Sequence, residues 1–461
     1  MSRDLERNRS AVKTGKPLAM LIIPPVYDFA FYDLYFKPYG LLRIGRWLEK
    51  GGWECCFVNA LDYSDKLSLS RLKPPRRHSN GTGKMFRQPV LMPDGNFPSA
   101  RRFSRYGIIE ESFISGITSD RRPDIILIST FMTYWYKGVV ETVDICKKIW
   151  PGVPVFTGGI YATLMPEHCR ASSGADHVVK GAGWDYLNNY FLRSGLPVCC
   201  DGTGADPDEG DYLMESSVWK DAAVLRLNTG CPMKCAYCAS SIIAEFSEGS
   251  PDAVFNQFLA IHKKYGTVNF AFYDDALLFK KDKILLPFLE KVTASRIKAK
   301  FYLPNAVHID FLDSESVNLM RRAGFQEIRL GFESSDPQFH NNNGRKYDKD
   351  AFPAVIEKLK KNGFSGKNEI IIYILAGLPG QYADEVLNTV RYLSSFNVRI
   401  SVSEYSPVPG SALWDESVKK SRYPIEENPL FHNNSIFPME WEGFTYEDMQ
   451  RVKTLASGFS V

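Results

Sequence analysis

Residues 228–240 read Asn228-Thr-Gly-Cys231-Pro-Met-Lys-Cys235-Ala-Tyr-Cys238-Ala-Ser240. Three cysteines spaced CxxxCxxC sit on one short loop. Thiolates are soft ligands suited to zinc or to iron–sulfur clusters. A structural zinc or an ordinary ferredoxin cluster takes four protein ligands, so three are one short of a closed site. On a [4Fe-4S] cube, three cysteines hold three irons and leave the fourth open to chelate a small molecule. The alternatives are half of a zinc knuckle with a distant ligand such as His262, or three unrelated buried thiols. No cysteine follows Cys238, and the other six (Cys55, Cys56, Cys146, Cys169, Cys199, Cys200) lie upstream without a second CxxC. Zinc ligands come in paired couples, so the spacing favours the open cluster.

A βα series runs outward from this loop toward the C-terminus. Strands are expected at Ala223–Leu227, Val268–Tyr273, Ala299–Leu303, Glu327–Phe332, Glu369–Leu375 and Val398–Tyr405. Ser250-Pro251-Asp252 caps a helix that Gly266 closes, and Asn362-Gly363 ends another. Six strands with intervening helices predict an α/β fold, a partial (β/α)6 TIM-type barrel over residues 215–415, with its chemistry at the strand carboxyl ends. The cysteine loop follows the first of those strands. Residues 416–461 are expected as a C-terminal extension with a helix at Tyr446–Leu455.

Toward the N-terminus the same reasoning gives a second unit over residues 1–200. Expected strands Leu18–Ile23, Glu54–Asn59, Asp124–Ser129, Val153–Thr157 and His177–Lys180 alternate with helices Pro38–Lys50, Lys137–Trp150, Ala162–Cys169 and Trp184–Arg193. Such βαβ units predict a parallel, doubly wound sheet of the flavodoxin-like (Rossmann-like) kind, binding ligands at the strand carboxyl ends. An insertion over residues 64–119 interrupts it, too long for an ordinary connection. The acidic, turn-rich stretch Gly202–Glu215 marks the boundary.

Further motifs follow the cysteines in order, and together they resemble the radical S-adenosylmethionine (SAM) superfamily. Tyr237 precedes the third cysteine and Gly230 the first. Phe272-Tyr-Asp274-Asp275 ends the second barrel strand, where the resemblance implies acceptors for the methionine ammonium; the same carboxylates could instead cap the next helix. Glu327-Ile-Arg329-Leu-Gly-Phe-Glu333-Ser334 looks like the family's fourth-strand element. It implies Glu333 and Ser334 facing the methionine or ribose, with Arg329 a carboxylate partner unless strand alternation points it outward. Gly377-Leu-Pro-Gly380 resembles the adenine-side turn, against a plain strand-to-helix turn. Glu404–Ser411 resembles the closing Pro-x-Pro-Gly-[ST] element. The family implies an electron entering the cluster from a low-potential donor of flavodoxin or ferredoxin type. SAM is then cleaved reductively, and the 5′-deoxyadenosyl radical attacks an unactivated carbon of a small-molecule or peptide substrate.

The first unit is similar to cobalamin-binding domains fused to radical SAM barrels. The similarity rests on Pro38–Trp53, Pro123–Thr130, Pro154–Thr163 and Val178–Gly183. It implies a corrinoid near Tyr27, Gly40, Ser129, Gly158, Gly159, Tyr161 and Gly181, and methyl transfer as the reaction. Cobalamin domains that ligate cobalt through histidine carry Asp-x-His-x-x-Gly after the first strand. Here the loop reads Val26-Tyr-Asp-Phe-Ala-Phe-Tyr-Asp-Leu-Tyr35, with no histidine. The implied alternatives are cobalamin without a protein histidine on cobalt, or a vestigial scaffold on an enzyme that isomerises, cyclises or oxidises.

Composition sets the outer bounds. The 461 residues include 44% hydrophobic and 24% charged positions, ordinary for globular domains. Leu18–Pro25 is too short to span a membrane. Without an export pattern or a paired cysteine framework, the chain is expected in the cytoplasm. Between Arg71 and Tyr106 nine Lys or Arg face Asp94 alone, which suits a solvated insertion or a phosphate contact. A tRNA methylthiotransferase would use such a stretch, but it brings a second cysteine triplet that the first unit lacks, which argues against nucleic acid. A non-catalytic metal-binding module is the remaining reading.

Overall fold

The computed structural model describes residues 15–95, 97, 102–199, 215–344 and 349–460. Cys200 and the stretch 202–214 lie outside the described residues. The first sheet contains β1 (Leu18–Ile23), β2 (Glu54–Asn59), β3 (Ile125–Thr130), β4 (Val155–Gly159) and β5 (His177–Val179). Its order is β2-β1-β3-β4-β5, all parallel. Every residue of β1 and β3 is buried, because helices cover both faces. Ala19, Leu21 and Ile23 pack with Leu42 and Trp47 on one face, and Met20 and Ile22 with Val139 and Val143 on the other. The strand order reverses between β1 and β3, and a crevice at their carboxyl ends is where such sheets bind ligands.

The insertion folds back onto this edge. Its strands Arg87–Pro89 and Ser104–Tyr106 form an antiparallel sheet with Val26–Asp28, directly after β1. Sequence periodicity did not show these three-residue strands. Several of its cations are internally paired: Arg77 with Asp33 at 2.7 Å, Arg105 with Glu141 at 2.9 Å, and Arg71 with Glu111.

The second unit is the open barrel. Its strands are β6 (Ala223–Leu225), β7 (Asn269–Phe272), β8 (Lys300–Tyr302), β9 (Ile328–Glu333), β10 (Ile370–Ala376) and β11 (Arg399–Glu404). β6, β7 and β8 are hydrogen-bonded in parallel, as are β9, β10 and β11; Val307–His308 carries the chain beyond β8 onto β9. Alternation decides what faces where. Phe270, Phe272 and Phe301 pack outward against Phe258 and Phe288 of the helical layer. Tyr273, Tyr302, Arg329 and Tyr373 are left to the lumen.

A closed eight-stranded barrel fills its interior with its own side chains. Six strands leave more room, and the first unit supplies the filling. Tyr35, in the loop after β1, is buried, has φ of 64°, and stacks on Tyr302 with ring centres 5.1 Å apart. Its carbonyl accepts from the Tyr273 hydroxyl, which itself accepts from the Lys37 N–H at 2.7 Å. The helix Tyr446–Ser460 covers the other side, packing on β11 and on the helix Ala383–Ser394.

Candidate active site at the barrel mouth

The cysteine loop leaves β6 and is pinched at its base, where Asn228–Thr229 pairs antiparallel with Ser247–Glu248. Gly230 has φ of 67°, and a Cβ there would meet the carbonyl oxygens of Ala244 and Glu245 at 2.5 Å. Only glycine fits that turn. The loop is stitched to the barrel by Ala236 N–H to Asn343 O (3.3 Å) and Leu413 N–H to Ala236 O (3.1 Å). Tyr237 packs against the cluster that contains Phe339, Leu378 and Tyr405. Cys231, Cys235 and Cys238 are all partly exposed and form no disulfide. Burial raises the Cys231 thiol pKa, and the charges of Cys238, Asp275 and Cys235 act in the same direction.

The two adjacent aspartates separate. Asp274 is buried and turned into the fold: its carboxylate accepts from Leu227 N–H at 3.1 Å and Asn228 N–H at 2.6 Å. Burial pushes its pKa up to about 7, against those hydrogen bonds. Its oxygens therefore hold the foot of the cysteine loop. Asp275 presents its surface to solvent, yet surrounding protein still raises its pKa. An exposed group crowded by protein lines a concavity, and Asp275 is the aspartate at the mouth.

On β9 the placements also diverge. Glu333 ends the strand with φ of 65°, beside a register shift between Gly331 and Glu333. A non-glycine residue in the left-handed region is strained, and such strain collects at functional positions. Arg329 lies four residues earlier, about 13 Å down the strand. There it binds Glu327 at 2.6 Å and the Tyr373 hydroxyl, deep in the lumen and away from the mouth. The Ser334 side chain bonds the backbone N–H of Asp336 at 3.1 Å, and its carbonyl accepts from His340 at 2.7 Å; both shape the loop. After β10, Gly377 and Gly380 both have positive φ, 87° and 76°. A Cβ on Gly377 would meet the Phe437 ring at 2.5 Å, and one on Gly380 would meet Lys420 Nζ at 2.7 Å. The turn is held by Gln381, whose Oε1 accepts from Gly377 N–H at 2.7 Å and Leu378 N–H at 3.2 Å. The left-handed backbone favours glycine at both positions, and at Gly377 the C-terminal segment adds a contact that no local motif announces.

In the first sheet, Ser129, Gly158 and Gly159 gather at the carboxyl ends of β3 and β4, where Ser129 pairs with Gly158. Gly159 has φ of 113°, and a Cβ would strike Thr130 O at 2.2 Å. Gly181, after β5, is open on its Cβ side and donates its N–H to Thr163 Oγ1 at 3.0 Å. Gly40 is exposed in the first turn of the helix Tyr39–Lys50. Tyr161 instead points into the helical layer, hydroxyl to His168 Nδ1 at 2.7 Å. Tyr27 faces the Arg105–Glu141 pair, and burial raises its pKa.

The two sites meet. The helix Ser240–Ile243, directly behind Cys238, packs against the helix Ile160–Leu164, directly behind Gly158-Gly159.

Comparison with known families agrees with this arrangement. The model of the radical SAM superfamily matches residues 225–393, and that of the B12 binding domain matches residues 107–190. The chain carries a radical SAM domain behind a B12-binding domain. The fold is similar to that of the radical SAM methyltransferase TsrM from Kitasatospora setae, solved with cobalamin and a [4Fe-4S] cluster. That likeness has a TM-score of 0.65 at 12% identity, over 89% of this chain and 76% of that one. Against the cobalamin-dependent SAM radical enzyme OxsB the TM-score is 0.55 at 11% identity, over 96% and 62% of the two chains. A stretch of 154 residues is 32% identical to the oxygen-independent coproporphyrinogen III oxidase of Bradyrhizobium diazoefficiens, 32% of this chain and 33% of that protein. The chain thus spans about a third of the length of this curated relative.

The radical SAM and B12-binding domains imply a [4Fe-4S] cluster, S-adenosylmethionine and cobalamin. The residues present fit them. Among the described residues no three His, Cys, Asp or Glu side chains converge on one ion-sized point; a cube carries its irons at separate corners, so its thiolates stand apart. At the foot of the cysteine loop the buried Asn228 carboxamide leaves both Nδ2 and Oδ1 without a protein partner, as a polar group awaiting a ligand does. The backbone at Gly158 and Gly181 offers a smooth surface for a bulky cofactor. Among the described residues no helix is long and apolar enough to cross a membrane.

Proposed function

We propose that this protein is a cobalamin-dependent radical SAM methyltransferase acting on an unactivated carbon of a small molecule or peptide. The packing of helix Ser240–Ile243 on helix Ile160–Leu164 carries the reading. It sets the cysteine loop of the barrel beside the glycine edge of the first sheet, so groups held by the two units would share one chamber. When bound, the cluster with SAM supplies radical chemistry and cobalamin supplies a transferable methyl group. The chain's own residues orient and enclose. Cys231, Cys235 and Cys238 hold the cluster, while Asp275 and Glu333 offer carboxylates to cationic or hydroxyl groups of SAM. Tyr35 blocks the lumen below and the C-terminal segment covers the Gly377 turn, which limits water. Reduction is assigned to a low-potential protein donor of flavodoxin or ferredoxin type.

The test is anaerobic purification, reconstitution with iron, sulfide and cobalamin, and product analysis with SAM and a low-potential reductant. Both S-adenosylhomocysteine and 5′-deoxyadenosine are expected, with the latter lost in Cys231→Ala, Cys235→Ala and Cys238→Ala. Deoxyadenosine alone, with no cobalamin retained, would point to a radical enzyme that does not methylate. Intact SAM from reduced, cluster-replete protein would defeat the radical reading. Zinc in place of iron would indicate a metal-binding module.

A further inference from the structure

A small cavity opens at the carboxyl ends of β1 and β2, on the far side of β1 from the glycine edge. Their last residues, Ile23 and Asn59, line it together with Lys37, Leu61, Tyr63 and Val218. Lys37 is only 7% exposed. Its backbone N–H serves the Tyr273 hydroxyl at 2.7 Å, but among the described residues its ammonium makes no hydrogen bond or ion pair. The carboxylates around it are engaged elsewhere. Asp33, also on the cavity wall, accepts from Phe36 N–H at 2.6 Å and from Arg77 at 2.7 Å, and Asp221 accepts from the Tyr63 hydroxyl. Asn59 Oδ1 accepts from Leu61 N–H at 2.9 Å, which leaves its Nδ2 as a donor without a partner among the described residues.

An ammonium buried without a counter-charge of its own is costly. Burial lowers the Lys37 pKa, opposed by Asp33. The polar groups left over in this cavity are donors, and Ile23, Leu61 and Val218 make much of the remaining wall apolar. We propose that the cavity is a binding site for a small carboxylate, held by the Lys37 ammonium and the Asn59 amide with its hydrocarbon end on the apolar wall. Hydrogen bonds between charged partners are the strong ones, and the ligand supplies the acceptor that the fold omits. The consequence reaches the barrel. Lys37 N–H and Tyr35 O meet on the Tyr273 hydroxyl, so a carboxylate on Lys37 braces the segment that plugs the lumen.

The experiment follows the unfolding midpoint and amide hydrogen exchange of full-length reconstituted protein, in sodium acetate against sodium chloride of equal ionic strength. Acetate should raise the midpoint and slow exchange severalfold at residues 33–37, and chloride should do neither. Lys37→Met keeps the aliphatic stem without the charge and should abolish the acetate response. Asn59→Asp keeps the acceptor for Leu61 N–H and replaces the donor with an anion. It should abolish the response too, and it tests the site even where Lys37→Met does not fold. Acetate responses of equal size in wild type and either folded variant would overturn the proposal. So would chloride acting as strongly as acetate, which would make this a general anion site, or a wild-type protein that responds to neither salt.

Discussion

Asn433, in the C-terminal segment, donates its Nδ2–H to the carboxylate of Asp28 in the first unit at 2.8 Å, across 405 positions of sequence. Both residues are buried. Asp28 also accepts from the Trp135 indole at 2.5 Å and from Ala30 N–H at 3.1 Å. Next to it, His432 Nδ1 accepts from the Thr133 hydroxyl at 2.8 Å while Nε2 donates to Ile425 O at 2.6 Å. The Ile425 carbonyl requires the proton on Nε2, and burial, which lowers the pKa to about 4, keeps the ring neutral so that Nδ1 is the acceptor. The segment thus latches the loops after β1 and β3 to the barrel.

Asn433→Ala removes one donor from a buried carboxylate, which costs about 1–3 kcal/mol. Asn433→Asp, facing Asp28 with a second acceptor, should cost more. Chemical denaturation of the two variants beside wild type checks both the size and the order.

Asp274 makes stability depend on pH. Its folded pKa, about 7, stands above the ordinary 3.8, so the native state holds its proton more tightly than the unfolded chain. The stabilisation is complete below about pH 4 and is lost as pH rises to about 7, on the order of a few kcal/mol. Asp274→Asn turns an amide donor toward the N–H groups of Leu227 and Asn228. It should lower stability and iron retention at every pH while flattening this dependence. Unfolding midpoints for both proteins at pH 5 and pH 7.5 supply the comparison.

Glu333 holds a left-handed backbone that glycine adopts freely. Glu333→Gly should recover about 1 kcal/mol of strain and raise the melting temperature, while weakening SAM binding severalfold. Glu333→Gln should weaken binding without the thermal gain. If Glu333→Gly binds SAM as tightly as wild type, the carboxylate has no part in the site.

Gly377→Ala drives a Cβ into Phe437 and places alanine at φ of 87°. A loss of about 2–4 kcal/mol is expected from overpacking and backbone strain together. Phe437→Ala should be destabilising alone and yet partly offset the Gly377→Ala penalty, a coupling that a double-mutant cycle measures.

Bound cobalamin should carry no protein histidine on cobalt. His168, His177 and His432 are engaged with Tyr161, Tyr186 and Thr133 at 2.7, 2.9 and 2.8 Å. The loop after β1 puts Asp28 and aromatic rings at the switch point. Nitrogen hyperfine structure of the Co(II) protein should be the same whether its histidines contain 14N or 15N; a changed pattern would identify a histidine ligand.

Reading Cys231, Cys235 and Cys238 needed no structure, because three ligands on one loop are brought together by covalent spacing. The strands were legible for a similar reason: β1 is apolar throughout, β3 is apolar over its first four residues and β4 ends in two glycines, and burial and turn chemistry act over a few residues. Local patterning of this kind also located Gly230 and the helix capped by Ser250. What lay outside its reach were pairs such as Asn433 with Asp28, Phe437 with Gly377 and Tyr35 with Tyr302. No period or spacing marks a contact made only after distant elements have packed.

The neighbours Asp274 and Asp275 show the division most sharply. That two carboxylates follow the second barrel strand is readable from the order of residues alone. Successive side chains there point in opposite directions, and which of them meets backbone N–H groups and which meets the chamber depends on the register of β7 against β6 and on the path of the cysteine loop. Tertiary packing alone made one of them a buried structural anchor and left the other at the mouth, where it can face a ligand.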